Sequence, residues 1–207
     1  FLQRAPSPAA NQDAAAAAFL ALYSKARDWR HDEVLAAVER LLARPEQGGR
    51  FMEYGGMDVG YATVSLSYLG YLHADESFPA REQLLELARQ IADFITPSGQ
   101  LGGEYASRST TYFLPFGFLQ AAHLDADLAG RSATLDIQGA YARLDDRYLM
   151  HYCLPALSMT ALSLAQQGAP QAVPYTPPIE WESKHYEKVR LFASRKDCLL
   201  YTSDAAD

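Results

Sequence analysis

Val59-Gly60-Tyr61-Ala62-Thr63-Val64-Ser65-Leu66-Ser67-Tyr68-Leu69-Gly70-Tyr71-Leu72-His73 is the stretch that decides the fold. It contains no Asp, Glu, Lys or Arg. Wound at 3.6 residues per turn, it places Tyr61, Val64, Leu66, Tyr68, Leu69, Tyr71 and Leu72 around nearly the whole circumference. A helix without a charged face is expected to be buried. The next helix, Pro79 to Ile95, has the opposite character. Arg81, Glu82, Glu86, Arg89 and Asp93 lie across from Leu84, Leu87, Ala88, Ile91 and Ile95, the pattern of an outer, amphipathic helix. One buried helix followed by one surface helix is a repeating unit.

Upstream, residues 1–10 with Pro6 and Pro8 read as a lead-in. A helix over Asn11 to Trp29 has Phe19, Leu22, Tyr23 and Ala26 on one face. Asp32 can cap a second helix reaching about Ala43, with Val34, Leu35, Val38, Leu41 and Leu42 as its stripe; Pro45 and Gly48-Gly49 end it. Downstream, Pro97-Ser98-Gly99 turns the chain. Thr111 to His123 is again nearly uncharged, Asp125 to Tyr141 is a weaker helical region, and Asp145 to Gln167 holds a third polar lead-in and a third uncharged helix. His73 and His123 close their helices, where the dipole favours a cation.

The lead-ins repeat. Glu53-Tyr54 recurs as Glu104-Tyr105, 51 residues on, and Tyr61 recurs as Tyr112 at the same spacing. Tyr112-Phe113-Leu114-Pro115 is echoed by Tyr152-Cys153-Leu154-Pro155. A period of this order is the mark of helical repeats. The expected fold class is all-α: an incomplete α/α toroid of repeated helix pairs over residues 1–169. An open solenoid is the competing architecture. The uncharged inner helices favour closure, because an open array leaves one face wetted. A proline-rich linker follows at 170–180, and 181–197 alternates in places and can open a truncated β-domain. The last ten residues, Cys198 to Asp207, resemble the translation of an adapter used in sequencing-library preparation and stand outside the expected fold.

At 49% hydrophobic and 21% charged, the composition is that of a globular domain. The net charge of −7 comes with no cluster of Lys or Arg, so no nucleic-acid partner is expected. No stretch is apolar enough to span a bilayer, so no membrane partner is expected either. No metal or cofactor is expected: there is no His-x₃-His or Cys-x₂-Cys spacing and no glycine-rich phosphate loop. Cys153 and Cys198 do not fix a compartment. The chain opens on Phe1 and not Met, which leaves a periplasmic or secreted location open.

In a toroid the lead-ins gather at one mouth, where a ligand meets helix N-termini. The candidate residues there are Tyr54, Asp58 and Tyr61; Glu104, Tyr105, Arg108 and Tyr112; and Arg147, His151 and Tyr152. Aromatic rings stack on sugar faces, arginine and carboxylates bind hydroxyls and acidic groups, and tyrosine and histidine move protons. The partner expected on that chemistry is an oligo- or polysaccharide. Plainer roles compete. Asp58 is placed to cap the helix that follows it, and a tyrosine on a buried helix often belongs to the core.

The run Glu53-Tyr54-Gly55-Gly56-Met57-Asp58-Val59-Gly60-Tyr61, with Gly102-Gly103-Glu104-Tyr105-Ala106-Ser107-Arg108, resembles the helical domains of the heparinase II/III-like group of α/α-toroid polysaccharide lyases. The resemblance covers the middle of the chain. It implies β-elimination beside a uronic acid, with Tyr105, Tyr112 and His151 as the proton-moving residues. Tyr54, Asp58, Tyr61, Glu104, Arg108, Arg147 and Tyr152 are then substrate-binding. The group often sets an asparagine at the carboxylate. Asn11 is the only asparagine here, so that role passes to Arg108. A toroid glycoside hydrolase working through two carboxylates, such as Asp58 with Glu104 or Asp146, is the alternative enzyme. A non-catalytic repeat scaffold is the third reading.

Overall fold

The computed structural model describes residues 2–3, 5–43, 51, 56, 58–75, 78, 80–96, 98–101, 114–136 and 149–175, together with the backbone of 181–186, 191–196 and 199–204. The described residues are mainly helical: α1 (Ala10–Arg27), α2 (His31–Ala43), α3 (Val59–Ala74), α4 (Arg81–Ala92), α5 (Pro115–Leu124), α6 (Ala126–Ser132) and α7 (Leu154–Gln167). A π-helical turn, Leu149–Cys153, leads directly into α7.

The helices form two rows. In the first, α1 packs on α3, α3 on α5 and α5 on α7; in the second, α2 packs on α1, α4 lies against α3 and α5, and α6 lies against α4 and α5. The split follows charge. The two middle members of the first row, α3 and α5, carry no Asp, Glu, Lys or Arg, and α3 buries eleven of its 16 residues. Helices α2 and α4 present one apolar stripe each. Val34, Val38, Leu41 and Leu42 of α2 and Leu84, Leu87, Ala88 and Ile91 of α4 are all buried in one core with Leu66, Leu69 and Leu72 of α3. Phe94, just past α4, is fully buried in the same core.

Helix α1 departs from the expectation in an instructive way. Its Phe19, Leu22 and Tyr23 face solvent, and its buried side is small: Ala10, Ala14, Ala17, Ala18 and Ala21, with Leu20 the one large member. Alanines let a helix axis approach closely, so the narrow side meets α2 and α3, and the bulky side is turned away. A second departure concerns α7. It is as free of charge as α3, yet only Ala156 and Ser163 are buried among its 14 residues. The absence of charge permits burial but does not supply a neighbour.

Ion pairs stitch the helix ends. Lys25 reaches Asp75 at 3.1 Å, and Arg89 reaches Asp125, the N-cap of α6, at 2.7 Å. Those contacts hold the Asp125 carboxyl below the usual range, chiefly through the Arg89 hydrogen bond. Arg131 on α6 pairs with Asp93 and Asp127 and lies over the Tyr175 ring at 5.1 Å. The backbone N–H of Val173 donates to the Ala126 carbonyl, so the proline-rich stretch, up to Tyr175, lies back along α6.

The turn after α4 is closed by a bridge between Ile95 and Leu101, with Gly99 at φ +77°. A Cβ added at Gly99 would lie 2.1 Å from the Thr134 carbonyl oxygen. Gly99→Ala is expected to cost about 1–3 kcal/mol, since left-handed strain and a backbone clash coincide. A chemical denaturation midpoint equal to wild type would refute that.

Three antiparallel strands lie beyond residue 180: β1 (Trp181–Tyr186), β2 (Leu191–Lys196) and β3 (Leu199–Asp204), in the order β1-β2-β3. Tyr186 pairs with Leu191, and Lys196 with Leu199. The stretch that resembles an adapter supplies β3. A ladder bonds backbone to backbone, so the open edge of β2 accepts an extended segment with little regard to its side chains.

Candidate tyrosine site beside the π turn

Helix α3 positions the first part of the site. Asp58 is its N-cap, and its carboxylate accepts a hydrogen bond from the Tyr61 backbone N–H at 2.9 Å. That is the plainer of the two roles open to Asp58, and it fixes where Tyr61 begins the helix. From Tyr61, positions seven and ten residues on are Tyr68 and Tyr71, all on one side of the helix. The three tyrosines are half-buried against a small cluster of Val64, Leu114, Phe116, Cys153 and Ala156, and Tyr68 and Tyr71 pack on the main core as well. The ring centroids of Tyr71 and Phe116 are 4.8 Å apart, and those of Tyr68 and Tyr71 are 6.2 Å apart.

Helix α5 enters this cluster through Leu114 and Phe116, and α7 through Cys153 and Ala156. Further along, Gln120 donates to the Ser163 hydroxyl at 2.9 Å in a buried contact. The two helices therefore run in the same sense, with their N-terminal ends both at the tyrosines. Pro115 and Pro155 sit in the first turns of these helices, where a missing N–H costs nothing. Immediately before α7, the π turn carries His151 and Tyr152, both exposed, and directs Cys153 inward. π turns of this kind are often found at functional positions.

Burial sets the electrostatics. Burial first, and the neighbouring Tyr68 second, push the Tyr71 hydroxyl up to about 12. Tyr68 is raised by burial and then by Tyr152, which places Tyr152 within electrostatic reach of α3. Both phenols keep their protons at neutral pH. They suit stacking and hydrogen-bond donation and are poorly suited to removing a proton. Burial likewise pushes the Cys153 thiol up to about 11, which leaves it a packing residue with little thiolate.

Of the residues singled out on the sequence, Tyr61 packs on this cluster, and His151 and Tyr152 lie exposed on the π turn that delivers Cys153 to it. Tyr54, Glu104, Tyr105, Arg108, Tyr112 and Arg147 lie outside the described residues. Tyr68, Tyr71 and Phe116 were not singled out. The signal for the two tyrosines is the seven- and ten-residue spacing from Tyr61, which reads equally well as core. Among the described residues no group of three or more His, Cys, Asp or Glu side chains is arranged to hold a metal ion, and no helix is long and apolar enough to cross a membrane. The chain matches no protein-family model, no curated protein and no solved structure.

Proposed function

We infer that this chain is the helical part of a carbohydrate-active α/α toroid, and that it acts as a polysaccharide lyase on a uronic-acid-containing glycan. The observation that carries the reading is the gathering of Tyr61, Tyr68 and Tyr71 on the cluster of Phe116 and Cys153, with His151 and Tyr152 on the π turn that ends in that cysteine. Half-buried rings with polar tips offer an apolar face to sugar C–H groups and a hydroxyl to sugar oxygens. The toroid reading draws on the two rows of helices and on the repeat. Leu66 and Gly117, equivalent under the 51-residue offset, are in direct contact between α3 and α5.

In β-elimination a base takes the proton from C5 of the uronic acid. The electron pair forms the C4–C5 double bond, the C4–O bond breaks, and an acid protonates the departing oxygen. His151, exposed at the π turn, is the described residue fitted to the base role. Tyr105 and Tyr112 are assigned to proton donation, and Arg108 and Arg147 to the carboxylate. Tyr54, Tyr61, Tyr68 and Tyr71 supply sugar contacts.

Uronic-acid polysaccharides incubated with the chain should yield an unsaturated product that absorbs in the ultraviolet. His151→Ala should lower the rate by about 10²–10⁴-fold, and Tyr105→Phe should abolish the absorbance. New reducing ends without absorbance would replace elimination by hydrolysis through Asp58 with Glu104 or Asp146. Absorbance left untouched by His151→Ala would remove His151 from the mechanism.

A further inference from the structure

We propose that this chain binds one small, uncharged, apolar molecule in a cavity between α5, α6 and α7, and that the strap of residues 169–175 supplies the outer wall of that site. The cavity has a volume of about 280 Å³. Leu119 and Ala122 of α5, Ala129 of α6 and Leu164 of α7 line it from the helical side, and Ala169, Pro170 and Ala172 line it from the strap. An apolar cavity of about 150 Å³ is enough to take up benzene, so this one accepts a substituted ring or a fused pair. It reaches solvent beside Leu164, which is 39% exposed, so a ligand can enter without unfolding the helices. None of the residues of the tyrosine cluster lines it, and it stands apart from the proposed glycan site.

The chemistry of the walls selects the ligand. No Asp, Glu, Lys, Arg or His lines the cavity. Its two lining hydroxyls are already engaged: Ser132 donates to the Ala129 carbonyl at 3.2 Å, and Thr160 to the Ala156 carbonyl at 2.7 Å. A charged ligand would be desolvated there without a partner, and a polar one would meet no side-chain proton to accept. A water molecule keeps its place with about two to four polar partners, which these side chains do not supply. An apolar molecule loses nothing on entering and removes its own surface from water.

The strap is fastened to α6 at positions that do not themselves line the cavity. The Val173 backbone N–H donates to the Ala126 carbonyl at 3.2 Å, and the Arg131 guanidinium lies over the Tyr175 ring at 5.1 Å. At Gly130 an added Cβ would lie 2.2 Å from the Val173 carbonyl oxygen and 3.1 Å from the Tyr175 Cβ. These contacts carry Ala169, Pro170 and Ala172 across the cavity and hold them there. A wall already in place spares the ligand the cost of ordering it. The fasteners are therefore positioning residues, acting on the ligand through the strap.

Fluorobenzene is the probe, followed by fluorine NMR on the full chain. Its resonance should shift saturably with protein, toluene should displace it, and benzylammonium should not. The net charge of −7 favours that cation at the surface, so its failure to compete marks an uncharged interior. Ala133 and Ala172 line the cavity from exposed positions, where a larger side chain is tolerated. Ala133→Phe and Ala172→Phe should each abolish binding, and circular dichroism equal to wild type confirms folding. Thr160→Val, which keeps the shape, should leave it unchanged. Gly130→Ala should weaken binding about tenfold, because the strap is docked in a smaller fraction of molecules. A wild type with no saturable shift overturns the proposal, as does binding that survives both phenylalanine variants. Displacement by benzylammonium as readily as by toluene, or loss of binding in Thr160→Val, overturns the apolar ligand. Unchanged affinity in Gly130→Ala overturns the role of the strap.

Discussion

Replacing Gly117 with alanine is expected to destabilise the protein, although alanine is the better helix former. In an exposed helix the exchange would stabilise by about 0.8–1.0 kcal/mol. Here the added Cβ would lie 2.3 Å from the Leu66 carbonyl oxygen, 2.5 Å from its carbonyl carbon and 2.8 Å from its Cγ. Two of those three atoms are backbone of a buried helix and cannot rotate aside. Relief requires α3 and α5 to separate, and overpacking of this kind costs about 1–3 kcal/mol. Gly70 sits on the same contact: its own added Cβ would lie 3.0 Å from the Gly117 Cα. The sign of the effect decides the matter. A urea midpoint that rises in Gly117→Ala would show that the two helices are not in backbone contact.

Phe116→Ala should have the larger cost, about 3–5 kcal/mol. Phe116 is 1% exposed and holds together the small cluster shared by α3, α5 and α7. Its loss leaves a cavity under Tyr71, whose ring lies 4.8 Å away. Water admitted there should bring the Tyr71 hydroxyl down from about 12 toward its ordinary value near 10. The folded wild type holds that proton more tightly than the unfolded chain does. Its contribution to stability is therefore fully present below about pH 10 and is lost as pH rises through about 12. Alkaline titration followed by tyrosinate absorbance should show one late-ionising tyrosine fewer in the variant. An unchanged titration curve, with the variant still folded, would mean that Phe116 does not shield Tyr71.

The two substitutions test different parts of the molecule. Gly117 sets the spacing of the row, and Phe116 builds the tyrosine surface on it. If Phe116→Ala folds and loses glycan binding while Gly117→Ala folds and keeps it, the tyrosine surface carries the binding and row spacing does not.

Taken alone, the sequence determined the elements and the sorting of several of them. The stripes of α2 and α4 were legible because one apolar side and one charged side leave a single orientation that keeps charge in water. The burial of α3 was legible because no side of it is charged. Asp58 was legible as a cap because capping is local, needing only the next turn of helix. The side on which α1 packs was not legible. Phe19, Leu22 and Tyr23 are more apolar than a row of alanines, but the alanines allow a closer approach to α3, and only the neighbour decides between bulk and proximity. The exposure of α7 was hidden for the same reason. Leu154 to Gln167 reads like Val59 to Ala74, and burial depends on what stands on the far side. The site divides likewise. Tyr61, His151 and Tyr152 were picked out by position, whereas Tyr68, Tyr71 and Phe116 joined them only in three dimensions. Hydropathy is a property of a residue; shelter is a property of the residues that come to lie against it.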